Sequence, residues 1–159
     1  MTNDKTSAVA PELMISQWFN TQTPISLSNL LGKVVVIEAF QMLCPGCVSH
    51  GLPQVQQIAA IFPADKVKVL GLHCVFEHHA AMTPVSLQAF IHEYRLSFPV
   101  GVDKAGSNGT PLTMAAYQLR GTPSLIMIDQ TGHLRTNHFG QVNDLQIGAE
   151  IATLLSETH

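Results

Sequence analysis

Apolar residues in this chain fall into short blocks separated by turn-forming clusters. Val34-Val35-Val36-Ile37-Glu38-Ala39-Phe40 is almost continuously apolar and β-branched, the pattern of a central strand covered on both faces. Val67–His73 and Ser124–Ile128 read the same way, and residues 98–102 form a shorter strand. Between these blocks the period changes. Leu52, Val55, Ile58, Ala59 and Phe62 recur at helical spacing until Pro63 and Asp65 close the run. Thr83-Pro84 opens another helix through Leu87, Phe90, Ile91 and Tyr94, with proline at the favoured first turn.

A Gly/Ser/Asn-rich stretch over 103–111 predicts an exposed loop, followed by a short helix around Met114 to Tyr117. Asp129-Gln130-Thr131-Gly132 is a hairpin turn, residues 133–139 the return strand, and residues 145–155 a closing amphipathic helix. Residues 14–19 have strand character, and Ile25 to Lys33 contains a short turn into the core. The order of strands and helices gives an α/β fold, a central sheet with helices on both faces. No repeat interrupts it. Residues 1–12 read as a flexible N-terminal arm and residues 13–159 as one domain.

Composition narrows the function classes. Charged residues make up only 12% of the chain, against roughly 25% in an average soluble domain, which fits either burial against a partner or a quirk of composition. The net charge of -3, with no cluster of lysine or arginine, argues against nucleic-acid binding. No run is long enough to span a membrane, and the polar start lacks a secretory signal, so the expected location is cytoplasmic. Both monomer and homodimer remain open. Three cysteines are too few for a disulfide scaffold.

Two of them stand in Cys44-Pro45-Gly46-Cys47, directly after the first core strand. That spacing lets both sulfurs share one helical turn, and a helix N-terminus over the first sulfur favours its thiolate. A zinc site would need a second pair of ligands, and no second Cys-x-x-Cys exists. The expected chemistry is therefore a redox dithiol, with Cys44 as nucleophile and Cys47 as resolving thiol. Glu38 lies inside an apolar strand, where a carboxylate needs a partner or a task. Six residues before Cys44, it is expected beneath Cys47, accepting that thiol's proton. Gly121-Thr122-Pro123 precedes a core strand, and a proline there cannot donate to the ladder.

Taken together, Gly32-Lys33, Glu38, Cys44-Pro45-Gly46-Cys47, Gly121-Thr122-Pro123 and Ile128-Asp129-x-x-Gly132 resemble the thioredoxin superfamily, in particular its TlpA-like/redoxin branch. The resemblance runs from about Trp18 to the C-terminus. It implies a thioredoxin-like fold with a central mixed sheet, a cis proline at Pro123 beside the dithiol, and a Thr122 backbone that receives an incoming peptide. It further implies a substrate groove formed by Cys44, Thr122 and Pro123, flanked by Pro45 and Gly46. No bound cofactor is expected. The expected partners are protein thiols or disulfides, with a dithiol partner supplying electrons.

The departures are specific. Met42-Leu43 stands where the family places an aromatic residue before the first cysteine. The dipeptide between the cysteines is Pro-Gly instead of Gly-Pro. Pro53 follows Cys47 by six residues instead of five, which predicts a one-residue bulge near His50-Gly51. The insertion over 77–84 favours the TlpA-like branch.

Other residues offer alternatives. Cys74 reads as either a third redox thiol or a buried one. His73, His78 and His79 cluster in sequence with Cys74, and His138 is a distant candidate ligand, which keeps a copper- or zinc-handling metallochaperone as an alternative. His50 is expected near the dithiol. A peroxiredoxin-like, thiol-dependent peroxidase is the other alternative. That pattern expects threonine three residues before the cysteine, where this chain has Gln41, and an arginine drawn from Arg95, Arg120 and Arg135.

Overall fold

A computed structural model describes residues 7–159. Six strands form one sheet: β1 (Ile15–Phe19), β2 (Val34–Phe40), β3 (Val67–His73), β4 (Val100–Asp103), β5 (Ser124–Ile128) and β6 (Leu134–Phe139), in the order β1-β4-β3-β2-β5-β6. β2 pairs parallel with β3, and β3 with β4, while β5, β6 and β1 join antiparallel. The sheet is mixed, as the resemblance implies, and every residue of β2 is buried.

Side chains of β2 alternate between two cores. Val34, Val36 and Phe40 point into the cluster with α1 (Leu52–Ile61), α2 (Pro84–Glu93) and α4 (Asp144–Ser156), represented by Val55, Leu87 and Ile151. Val35, Ile37 and Ala39 point to the other face, with Leu70, Leu72, Met114 and Tyr117 around α3 (Leu112–Ala116). By this parity Glu38 belongs to the face of Val36, Phe40 and α1. The Thr83 side chain caps α2 by accepting the Ser86 N–H, and Asn143 caps α4 by accepting that of Leu145.

The described part of the segment expected as a flexible arm is fastened to the domain. Residues 1–6 lie outside the described residues. Beyond them, Leu134 donates its N–H to Ala8 O and Ala10 donates to Gly132 O, both at 2.9 Å. The Tyr117 hydroxyl donates to Pro11 O at 2.6 Å, and the Glu12 carboxylate accepts the Leu27 N–H at 2.8 Å. Ala10 is buried in the second core. The docking of residues 8–11 was illegible because their partners lie more than a hundred residues away in sequence.

The helix after the cysteines is not regular. Residues 47–51 form a π-helical turn (Cys47–Gly51), in which Leu52 donates its N–H back to Cys47 O, before α1 begins. This is the bulge that Pro53 predicts. A proline inside a continuous helical run lacks a donor and crowds the carbonyl four residues back, and a widened turn accommodates it. Among the described residues, no helix is long and apolar enough to cross a membrane.

Candidate active site

Cys44 closes the chain's exit from β2 and starts a helix. Its N–H donates to Gln41 O at 3.2 Å, Pro45 and Gly46 are already helical, and Val48 donates to Cys44 O at 3.1 Å. Pro45 thus occupies the first helical position, where its missing N–H costs nothing. Cys44 takes the cap position, and its sulfur accepts the Cys47 N–H at 3.3 Å. A donor therefore points at the sulfur that must carry negative charge when it attacks. Cys44 is half-buried and Cys47 fully buried, and both are free thiols.

Burial pushes the Cys47 thiol far up, and its hydrogen bond with the Cys44 sulfur pushes it further. Cys47 therefore stays protonated while the half-buried Cys44 is the accessible thiol of the pair. On the other side of Cys44, its thiol donates to Thr122 O at 3.6 Å. The Thr122–Pro123 bond is cis, and Pro123 Cδ would stand 3.4 Å from a β-carbon on Gly46, so the proline packs directly on the motif. The structure therefore gathers Cys44, Cys47, Pro45, Gly46, Thr122 and Pro123 where β2 ends and β5 begins.

Glu38 comes close, with a difference. It pairs across to Gly71 and Leu125 in the middle of the sheet and is fully buried. Burial raises its carboxyl well above the usual range, and the negative charge of Cys44 raises it further. It is hydrogen-bonded to neither sulfur. Its carboxyl lies against Gly51 and beside Pro123, and Oε1 has no hydrogen-bond partner. An orphaned buried carboxyl oxygen next to a dithiol fits a group whose proton moves during the reaction.

Two residues weighed in the sequence for other chemistry, His73 for a metal and Gln41 for a peroxide, support the site in another way. His73 ends β3, opposite Phe40 in the register, with its ring 5.1 Å from that of Phe40. Its Nε2 accepts the Met42 N–H at 3.3 Å, so the neutral ring carries its proton on Nδ1. Burial lowers its pKa to about 4, which keeps that acceptor available. Gln41, also buried, accepts the Phe76 N–H on Oε1 at 3.3 Å, and its amide nitrogen approaches Glu77. His73 and Gln41 thus hold the turn that precedes Cys44 from the β3 side. A histidine or glutamine at a strand end signals either a ligand or a backbone anchor, and only the three-dimensional partner decides.

The remaining candidates lie elsewhere. The Cys74 thiol is buried in the second core, donates to Leu72 O at 3.6 Å, and is held far up by burial and the nearby Asp103. His50 bonds through Nε2 to Val142 O at 3.0 Å, beside Gln54, and so fastens the helix to the loop before α4. His138 pairs with Glu150 at 2.7 Å. Among the described residues, no three His, Cys, Asp or Glu side chains are grouped to hold a metal.

A mixed sheet with a Cys-x-x-Cys helix start facing a cis proline defines the thioredoxin-like redox enzymes. The chain belongs to the AhpC/TSA family, which it matches over residues 7–137. Among solved structures, a thioredoxin-like superfamily protein shares 66% identity at a TM-score of 0.93, covering 94% of this chain and 97% of its own. A thiol-disulfide isomerase from Corynebacterium glutamicum shares 49% identity at a TM-score of 0.90, covering 94% and 98%. The thiol-disulfide oxidoreductase ResA of Halalkalibacterium halodurans is 26% identical over 123 residues, 77% of this chain. This chain spans 63% of that relative's length, and only 18% of Protein DipZ of Mycobacterium tuberculosis, to which it is 29% identical over 135 residues.

Proposed function

We propose that this protein exchanges its Cys44–Cys47 dithiol with a disulfide in a protein partner. The observation that carries this reading is the pairing of a half-buried Cys44 sulfur, accepting the Cys47 N–H at 3.3 Å, with a fully buried Cys47 thiol. The Cys44 thiolate attacks one sulfur of the partner disulfide, forming a mixed disulfide and releasing the partner's other sulfur as a thiolate. Cys47 then gives up its proton and attacks Cys44. The Cys44–Cys47 disulfide forms, and the partner leaves as a dithiol, reduced by two electrons. An external dithiol returns the protein to its starting state.

Glu38 supports the second step. Part of the upward push on its carboxyl comes from negative charge on Cys44, and that part vanishes once Cys44 is in a mixed disulfide. Its affinity for a proton is thus lower in the mixed disulfide than beside the Cys44 thiolate, which favours Glu38 as the acceptor of the Cys47 proton at that step. Thr122 and Pro123, packed against Cys44 and Gly46, form the wall along which the partner segment lies.

Trapping tests the reading. In Cys47→Ser, a reduced protein challenged with a disulfide-bearing protein should accumulate a covalent adduct through Cys44, visible by mass and released by dithiothreitol. No adduct in that variant would count against the mechanism. The AhpC/TSA match keeps a peroxidase as the second reading. The Gln41 amide, three residues before Cys44, is committed to Phe76 and Glu77, which leaves it poorly placed to hold a peroxide. Hydrogen peroxide consumption faster than disulfide exchange would reverse the preference.

A further inference from the structure

The rim of the dithiol is charged asymmetrically. β2 ends beside the end of β3 on one flank and beside the start of antiparallel β5 on the other. The loop leaving β3 carries Glu77, which approaches the Gln41 side chain. The segment entering β5 carries Arg120-Gly121-Thr122, and Thr122 O lies 3.6 Å from Cys44 Sγ. An acidic group therefore marks one side of Cys44 and a basic group the other.

Arg120 is exposed and takes part in no salt bridge among the described residues, where the ion pairs involve His133, Arg135 and His138. It is nonetheless held in place. Its guanidinium carbon lies 5.4 Å from the centroid of the Phe139 ring. That ring is 51% exposed and rests on Gly121, where a β-carbon would fall 3.0 Å from its edge. Phe139 sits opposite Ser124 in the ladder, and Gly140 donates to Pro123 O at 2.9 Å, so the ring is tied to the proline turn. A guanidinium stacked this way keeps its N–H fork free for a carboxylate.

The geometry points to Arg120 and Phe139 as a specificity subsite that takes an acidic side chain of the partner, next to the partner's reactive cysteine. This inference rests on the disulfide-exchange reading. As the partner segment crosses from Cys44 over Gly121, an apolar neighbour of its cysteine meets the Phe139 ring, and a carboxylate beyond it meets the Arg120 fork. Glu77 repels the same carboxylate if the segment lies the other way, so charge also selects the direction of docking.

The test uses Cys47→Ser protein, which stops at the mixed disulfide, and cysteine peptides carried as disulfides with thionitrobenzoate. The Cys44 thiolate attacks the peptide sulfur, the peptide–thionitrobenzoate bond breaks, and coloured thionitrobenzoate is released. Glu, Gln or Lys is placed one and two residues to either side of the peptide cysteine. Each rate is divided by the same protein's rate with the uncharged hydroxyethyl disulfide. With Arg120 present, Glu peptides of one orientation should react about two- to five-fold faster than Lys peptides, a ratio typical of an exposed ion pair, and salt should shrink it. Arg120→Gln should level the series and Arg120→Glu should invert it. Equal rates for all peptides, or a preference indifferent to Arg120, would overturn the subsite. Failure to react even with hydroxyethyl disulfide would instead sink the exchange reading beneath it.

Discussion

Gly51 presents its bare Cα to the carboxyl of Glu38. A β-carbon at residue 51 would collide with Glu38 Oε1 and stand 3.1 Å from Pro123 Cβ. The π-helical turn over Cys47–Gly51 delivers the glycine to this spot, so the widened helix, the orphaned carboxyl and the proline of the groove form one packed unit. The glycine is needed there for close approach, since its backbone is ordinary helix.

Gly51→Ala is therefore expected to destabilise the fold by about 1–3 kcal/mol through overpacking. At an uncrowded helical site the same change would stabilise by roughly 1 kcal/mol. Urea unfolding gives the sign. Adding Glu38→Ala should recover part of the loss, because the two side chains compete for one space.

Glu38→Gln separates stability from chemistry. Burial raises the folded pKa of Glu38 above its unfolded value, so its contribution is fully present below the unfolded pKa and lost as pH rises through the folded one. The glutamine variant should thus unfold at higher urea than the native protein at about pH 8, and the gap should close towards about pH 4. Resolution of the mixed disulfide, followed in single turnover, should slow in the same variant. Equal resolution rates would remove Glu38 from the proton path.

His73 gives a pH dependence of the opposite sense. Its folded pKa of about 4 lies below the ordinary histidine value of 6.5. Its contribution is therefore present above pH 6.5 and lost as the medium is acidified towards 4. The full loss is on the order of 3 kcal/mol. His73→Leu should abolish this acid sensitivity and change the rate at which iodoacetamide alkylates Cys44, because the Met42 N–H loses its acceptor. His73→Gln, which can place an oxygen near Nε2, should restore the rate in part. A His73→Leu protein with an unchanged Cys44 alkylation rate would show that the bond carries stability only.

Alkylation should read the burial of the thiols directly. Iodoacetamide should modify only Cys44 in the folded, reduced protein, since Cys47 and Cys74 are buried, and all three cysteines in denaturant. Intact mass before and after unfolding distinguishes the two states. Rapid labelling of Cys74 in the native protein would contradict its place in the core.

The frame of the fold is legible in local pattern. The predominantly apolar runs Val34–Phe40, Val67–His73 and Ser124–Ile128 are strands with those bounds, because a strand covered on both faces is built mostly of apolar residues. Glu38 is the one polar residue of Val34–Phe40, and its place six residues before Cys44 pointed to the neighbourhood of the dithiol. The spacing of Pro53 from Cys47, one residue longer than in the family the chain resembles, foretold the π-helical turn.

Contacts between separate stretches of chain are set by packing and were not legible in that pattern. Glu38 faces Gly51 instead of bonding to a sulfur, His73 anchors Met42, and His50 turns to Val142. Arg120 stacks on Phe139, and residues 8–11 dock on the β5–β6 turn and Tyr117. Periodicity records which face a side chain takes on its own element. The partner it meets there depends on how the elements stack, and no local pattern encodes that.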